Sequence, residues 1–226
     1  MYLELAAPHA QGITIEPVDA ARPVATDRRL YHRLLAGRHL FHEGDEAHAL
    51  YEVKRGLLRL ARVTANGRRQ ITAFALPGDI VGFPAGDHHQ SDCDALVDAV
   101  VLAHGRAALD GCSADPDLHR FLTRAALREI NALQDHFMML SSKTATERVA
   151  SFLLTLATRT GVACASGTLV DIPMRRVDIA DFLGITNETV CRMISRFRND
   201  GLILAETPQR LIVTDMSGLQ ARAEPA

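Results

Sequence analysis

The sequence predicts an α+β fold: an antiparallel β domain in the amino-terminal half, a long helix, and a winged helix-turn-helix at the carboxyl end. Three observations support this prediction. Short apolar runs separated by turn residues fill residues 40–108, a stretch without Gly or Pro covers residues 118–140, and residues 177–213 have the pattern of helix, tight turn, helix and hairpin. The 226 residues are enough for two modest domains.

The β domain is expected over residues 31–115. Asn66-Gly67 stands between two apolar runs, and because both residues tolerate positive φ, this dipeptide predicts a hairpin. Pro77-Gly78-Asp79 marks a further turn. Short strands at this spacing are typical of an antiparallel sandwich or barrel. Residues 1–30 have little periodicity, and we expect them to form an irregular, partly mobile arm.

The long helix is expected over residues 116–142, with Asp115 as its amino-terminal cap and Pro116 in the first turn. It carries two neighbouring apolar stripes, and a helix that is apolar on more than one face needs more than one partner. We expect one stripe to pack on the β domain and the other on a second copy of the chain; burial within a single chain is the alternative. The residues assigned to the dimer contact are Leu118, Phe121, Leu122, Ala125, Arg128, Ala132 and Phe137.

The helix-turn-helix lies within the third expected segment, residues 143–226. Gly184 can adopt the left-handed conformation that ends its first helix. Thr186 can cap the second helix, expected over about Asn187 to Asn199, by accepting a bond from a free backbone N–H. Val190, Ile194 and Phe197 then face inward at helical spacing.

The outward face of the second helix carries Asn187, Glu188, Cys191, Arg192, Ser195 and Arg196. Arg can bind the O6 and N7 atoms of guanine, and Glu can accept from the amino group of cytosine, so Glu188 and Arg192 suit base contacts in a DNA major groove. The alternative is that they form an i,i+4 surface ion pair. The candidates for phosphate contacts are Lys143, Thr186, Ser195, Arg196 and Arg198. The formal net charge of -2 is compatible with DNA binding, because only one face of the protein need be basic.

Two motifs carry a family resemblance. Leu183-Gly184-Ile185-Thr186 followed by Glu188-Thr189-Val190-Cys191-Arg192 resembles the recognition helix of the Crp/Fnr superfamily, and residues 76–83 resemble a turn in that family's β-roll. The order of domains matches from about residue 30 to the end, and residues 82–89 with Glu188-x-x-Cys191-Arg192 are most similar to the FixK branch.

The resemblance implies a β-roll like those that bind cyclic nucleotides and a homodimer on double-stranded DNA with a palindrome of the TTGAT…ATCAA kind. It also implies base contacts from Glu188 and Arg192, with Cys191 at the outer bases of the half-site. Asn187, on the same outward face, is a further candidate for a base contact. Loops of the β-roll would contact RNA polymerase, with activation as the expected outcome.

No cofactor is expected. The stretch over residues 90–98 lacks the Arg that neutralises a cyclic phosphate and contains three acids, and no cysteine precedes Cys93 to hold an iron–sulfur cluster. Three alternatives stay open for the signal: the protein responds to none and its amount sets activity, it binds haem, or Cys191 is oxidised. A thiol next to Arg192 at the start of a helix is expected to ionise readily. The candidate haem ligands are His32, His39, His42, His48, His88 and His89.

An enzyme is the remaining class. Asp92, Asp94 and Asp98 follow no metal-loop spacing, and we expect them to share a solvated face with Cys93 and Ala95 opposite. No Gly-rich phosphate loop or nucleophile elbow is present. No apolar run approaches membrane-spanning length and no signal peptide pattern begins the chain, so a cytoplasmic protein with free thiols is expected.

Overall fold

The computed structural model describes residues 31–84, 86–110 and 115–224. The expected arm, residues 1–30, lies outside the described residues. The described part of the chain divides into two compact units, with the division after Leu133. None of the described helices is long and apolar enough to cross a membrane.

The first unit contains two four-stranded antiparallel sheets, as expected for the β domain. One sheet has the strand order β1-β8-β3-β6 and the other has the order β2-β7-β4-β5. Asn66-Gly67 lies in the hairpin between β4 and β5, where Gly67 has a φ of 78°. The strands are β1 Tyr31–Leu34, β2 His39–Phe41, β3 Ala49–Arg55, β4 Leu58–Val63, β5 Arg69–Ala75, β6 Ile80–Val81, β7 Asp92–Ala95 and β8 Ala99–Gly105.

The expectation of a solvated face for the three aspartates is wrong for Asp94. Its side chain is buried and accepts from Arg59 Nε at 3.0 Å and Arg59 Nη2 at 2.8 Å. The reason is register: β4 pairs with β7 so that Arg59 stands directly opposite Asp94. A buried carboxylate requires such a partner. Asp92 and Asp98 instead accept from the backbone N–H groups of Glu43 and Ala36, both at 2.9 Å.

The long helix, α1, spans Pro116–Ser142. Asp115 Oδ1 accepts from the backbone N–H groups of Asp117 and Leu118 at 3.0 Å, which confirms the predicted cap. The helix packs on the β domain through Leu122 and Ala125, which join Leu50 and Ile80 in one buried cluster.

This packing bears on the residues expected at the dimer contact. Leu122, Ala125 and Ala132 are buried within their own chain, and Leu118 packs against the same cluster as Leu122. Phe121, Arg128 and Phe137 stay exposed. The sequence interpretation assigned no dimer role to four further exposed apolar side chains of α1, which are Leu127, Ile130, Leu133 and Met138.

The second unit is a winged helix-turn-helix, as predicted. Its antiparallel sheet has the order β11-β12-β10-β9. Thr144 caps α2 in a reciprocal arrangement with Glu147. Strand β9 and helix α5 were not expected. The elements are α2 Ala145–Thr160, β9 Val162–Cys164, β10 Gly167–Asp171, α3 Arg176–Leu183, α4 Asn187–Asn199, β11 Ile203–Thr207, β12 Arg210–Val213 and α5 Met216–Ala223.

Candidate nucleic-acid interface

The turn between α3 and α4 has the predicted geometry. Gly184 is left-handed, with φ 63° and ψ 35°, and the backbone N–H groups of Gly184 and Ile185 both donate to the Ala180 carbonyl. Thr186 Oγ1 accepts from the Thr189 N–H at 3.2 Å, which satisfies one free donor of α4. The sequence therefore determines where α4 begins.

The inward face of α4 is buried as predicted, and one further residue belongs to it. Val190 and Phe197 have no exposed surface, and Ile194 is also buried. Met193 was missed although it stands three residues after Val190 and four before Phe197, which is the spacing of the same stripe. It is buried, and the Thr146 hydroxyl of α2 donates to its sulfur at 3.2 Å.

The outward face presents the polar residues singled out from the sequence. Asn187, Glu188, Cys191 and Arg192 are all exposed. Among the described residues, no ion pair joins Glu188 to Arg192; the Arg192 guanidinium lies 3.4 Å from the Thr189 hydroxyl instead. The surface ion pair between Glu188 and Arg192, which was the alternative to base contacts, is therefore not formed in this structure.

Glu188 is held in its charged form. The pKa of its carboxyl is lowered because its own backbone N–H and the Thr186 hydroxyl bond to the carboxylate. A charged carboxylate only accepts hydrogen bonds, which suits a contact with the amino group of cytosine.

The basic residues proposed for phosphate contact differ in their surroundings. Arg198 is exposed, as is Arg196, which lies 4.0 Å from Asp200. Lys143 is already engaged, since its ammonium donates to Ser151 Oγ at 2.7 Å and to the Ala223 carbonyl at 2.8 Å. This bonding within the unit counts against a phosphate contact by Lys143.

Arg176 is a residue of this face that sequence reasoning missed. Its Nη2 donates to the Pro208 carbonyl at 2.8 Å, which ties the tip of the wing to the first turn of α3. Its Nη1 is buried and has no hydrogen-bond partner within the described part of the chain. Burial lowers the pKa of the Arg176 guanidinium, and the electrostatic interaction with the nearby Cys191 thiol opposes that shift. The Arg175-Arg176 pair just before the helix-turn-helix was the available signal.

The described cysteines are free, and they differ in exposure. Cys164 and Cys191 are exposed, whereas Cys93 is buried. Burial, with Asp94 and Asp92 nearby, strongly raises the pKa of the Cys93 thiol, so this thiol stays protonated. Exposed thiols are the ones that oxidants reach first.

A cavity of about 290 Å³ in the second unit lies beside Lys143 and α5, and a smaller one of about 170 Å³ lies in the β domain. The smaller cavity is lined by Phe41, Gly82 and His89 among others. The His89 ring is buried and stacks on Phe41 at a centroid distance of 3.7 Å, and its Nδ1 has no hydrogen-bond partner among the described residues. In the described ranges, no group of three His, Cys, Asp or Glu side chains is placed to hold a metal ion.

Comparison with known proteins agrees with this geometry. The Crp-like helix-turn-helix domain matches residues 147–222, and the cyclic nucleotide-binding domain matches residues 31–114. The nitrogen fixation regulation protein FixK of Azorhizobium caulinodans is 35% identical over 215 residues, which cover 93% of this chain and 86% of that protein.

Two further similarities extend over most of the chain. A probable transcriptional activator of Rhizobium leguminosarum bv. viciae is 35% identical over 192 residues, covering 84% of this chain and 80% of that protein. The structure of FixK2 from Bradyrhizobium japonicum matches with a TM-score of 0.78 at 31% identity, covering 87% of this chain and 98% of that one.

The winged helix-turn-helix and the exposed face of α4 define a DNA-binding transcription regulator. The chain belongs to the Crp/Fnr superfamily, in its FixK branch. The resemblance drawn from residues 183–192 is thus confirmed. The prediction that the protein is a regulator and not an enzyme is also confirmed, because the relatives are transcription regulators.

Proposed function

We propose that the protein is a homodimeric activator that binds a TTGAT-type palindrome without a cyclic nucleotide or an iron–sulfur cluster. The observation that carries the proposal is the exposed face of α4, where Glu188 and Arg192 stand one turn apart with no ion pair between them in the described structure. The amino-terminal cap at Thr186 holds both residues in position. Asn187 and Cys191 lie beside them for further base contacts.

Phosphate contacts would come from Thr186, Ser195, Arg196 and Arg198, which are all exposed. Arg176 would act indirectly, because its Nη2 donates to the Pro208 carbonyl and holds the wing beside α3. Contacts of this kind position a protein on the duplex without selecting a sequence.

Pairing of two chains is supported by the apolar side chains that α1 leaves exposed. Ile130 is 52% exposed and Phe137 is 69% exposed, with Leu127 and Leu133 on the same helix. Exposed apolar groups of this size on one element mark an interaction surface. A dimer formed along α1 would set two copies of α4 about one DNA turn, roughly 34 Å, apart.

The deciding experiment measures binding of the purified, reduced protein to a fluorescent duplex that carries the palindrome. A duplex with the same composition and a scrambled half-site is the comparison, and Arg68→Ala, an exposed arginine in the β4–β5 turn, is the matched control variant. We expect strong preference for the palindrome in both the native protein and the control. Equal binding of the two duplexes would disprove the proposal. Contact with RNA polymerase would appear as activation of transcription in an assay with purified polymerase and template. We expect the protein to activate in that assay without an added ligand.

A ligand-gated regulator of the same fold is the second candidate, favoured by the β-domain cavity and by the buried, unpartnered Nδ1 of His89. A thermal-shift screen with nucleotides, haem and small polar metabolites tests it. A compound that raises the melting temperature of the native protein and not of His89→Phe would support ligand gating.

A further inference from the structure

The carboxyl end of α3 is bound by two side chains from other helices of the second unit. His136 of α1 donates from Nε2 to the Phe182 carbonyl at 2.9 Å, and its ring stacks on the Phe182 ring at 4.2 Å. Arg148 of α2 donates from Nη1 to the Leu183 carbonyl at 2.9 Å. The last carbonyls of a helix have no partner within it, so these two bonds satisfy groups that α3 leaves open.

The same Arg148 guanidinium also binds the carboxyl end of α1. Its Nη2 donates to the Leu140 carbonyl at 2.7 Å, and its Nε donates to the Lys143 carbonyl at 2.9 Å. The carboxyl end of a helix carries partial negative charge. One positive group therefore joins two negative helix ends through charge-assisted hydrogen bonds, which are stronger than neutral ones.

The turn of the helix-turn-helix lies directly against this arrangement. A Cβ placed on Gly184 would lie 3.4 Å from Leu140 Cδ2 and 3.5 Å from Arg148 Nη1. The end of α3 and the turn that leads into α4 are therefore held against the end of α1 at one point. Neither Arg148 nor His136 belongs to α4, so neither is part of the exposed face that would contact bases.

We propose that Arg148, assisted by His136, is a positioning residue that fixes the helix-turn-helix on the end of α1, so that a dimer presents its two α4 helices at a single spacing. This inference rests on the proposed palindrome-binding homodimer. Two linked DNA-binding units bind a palindrome tightly because, once the first unit is bound, the second acts at high effective concentration. This gain in affinity is lost when the spacing of the two units is not maintained. Removing the Arg148 hydrogen bonds should therefore weaken palindrome binding, while the contact of each helix-turn-helix with its half-site is retained.

The test compares Arg148→Lys with Arg159→Lys, the same substitution on the same helix. Lys keeps the charge but lacks the planar fork that serves three carbonyls at once. Affinity is measured for the palindrome, for a palindrome whose spacer is longer by a single base pair, and for a lone half-site. For Arg148→Lys we expect a loss of about tenfold on the palindrome, an unchanged half-site affinity, and weaker discrimination between the two spacers. Arg159→Lys should match the native protein on all three duplexes.

Two results would overturn the inference. Equal losses on the palindrome and the half-site would mean that Arg148 only supports the fold, and no change on any duplex would mean that it positions nothing. If Arg148→Lys does not fold, His136→Phe carries the test, because it keeps the ring stacked on Phe182 and removes only the donor. A native protein that binds the half-site as tightly as the palindrome would instead disprove the proposed dimeric function, which separates that failure from this one.

Discussion

Glu188 and Arg192 lie one helical turn apart on the exposed face of α4, and in the described structure the Arg192 guanidinium donates to the Thr189 hydroxyl, at 3.4 Å, and forms no ion pair with Glu188. Opposite charges at this spacing often pair on a helix surface. Here the two side chains bond to separate groups, so binding DNA would not first require breaking an ion pair. The predicted roles of the two residues can be tested separately.

Arg192→Ala should weaken binding to the palindrome by about 1–3 kcal/mol and relax selectivity at one G·C pair, because a bidentate contact to guanine is lost. Titration of a duplex series with each base pair of the half-site changed in turn measures this. Arg198→Ala is the comparison, and it should weaken all sequences alike, as expected of a phosphate contact. Unchanged selectivity of Arg192→Ala would place the base contact at a different residue of α4.

Oxidation of Cys191 should abolish DNA binding, since an oxidised thiol adds bulk or charge on the face that approaches DNA. Peroxide treatment followed by a binding titration measures the effect, and Cys191→Ser should retain binding after treatment. Cys164→Ser is the matched control, because Cys164 is also exposed and lies outside α4. If Cys191→Ser loses binding as fully as the native protein, Cys191 is not the sensor.

Ile130→Glu should shift the protein from dimer to monomer in sedimentation experiments and leave the fold of the single chain intact by circular dichroism, because the Ile130 side chain is largely exposed in the single chain. Leu122→Ala is the informative contrast. Leu122 is fully buried, and its truncation should cost about 2–5 kcal/mol of folding free energy. A dimer that survives Ile130→Glu would move the contact to another surface.

The stability of the β domain should fall on acidification through His89. Burial lowers the pKa of this imidazole below its ordinary value of 6.5, with Asp45 opposing the shift. As the pH drops below about 6.5, the unfolded chain takes up a proton that the folded chain does not, so folding free energy is lost between that value and the lowered pKa.

Urea unfolding at about pH 7.5 and about pH 5.5 measures this loss. His89→Phe keeps the ring stack on Phe41 and removes the titrating group, so it should lose less stability over that interval. Parallel losses in the native protein and the variant would assign the pH dependence to other groups, among them His136, whose pKa burial also lowers.

Features set by neighbouring residues were predictable from the sequence. The features in question are Gly184, Thr186 and the inward stripe Val190, Ile194 and Phe197. They depend on spacing within residues 184–197, and the structure confirms each of them. The Asp115 cap and the Asn66-Gly67 hairpin are local in the same way. Local chemistry is visible in a single sequence.

Features set by distant residues were not predictable. Asp94 was expected in solvent because its partner Arg59 is 35 residues away and meets it only through strand register. Likewise, periodicity placed Phe121 and Leu122 on apolar stripes without showing which stripe faces the β domain. The engagement of Lys143 depends on the carbonyl of Ala223, in a helix that showed no clear pattern.

If Glu188 contacts a base as proposed, its contacts within the protein compete with its contacts to DNA. Without DNA, its carboxylate is satisfied at the start of α4 by its own N–H and by the Thr186 hydroxyl. A base pair that offers an amino donor can add to these bonds or replace them, whereas a base pair without such a donor leaves the carboxylate where it is. Once a cytosine amino group takes over, the released N–H becomes free for a backbone phosphate. Recognition of the base and anchoring on the phosphate chain would then reinforce one another through the contacts of this one side chain.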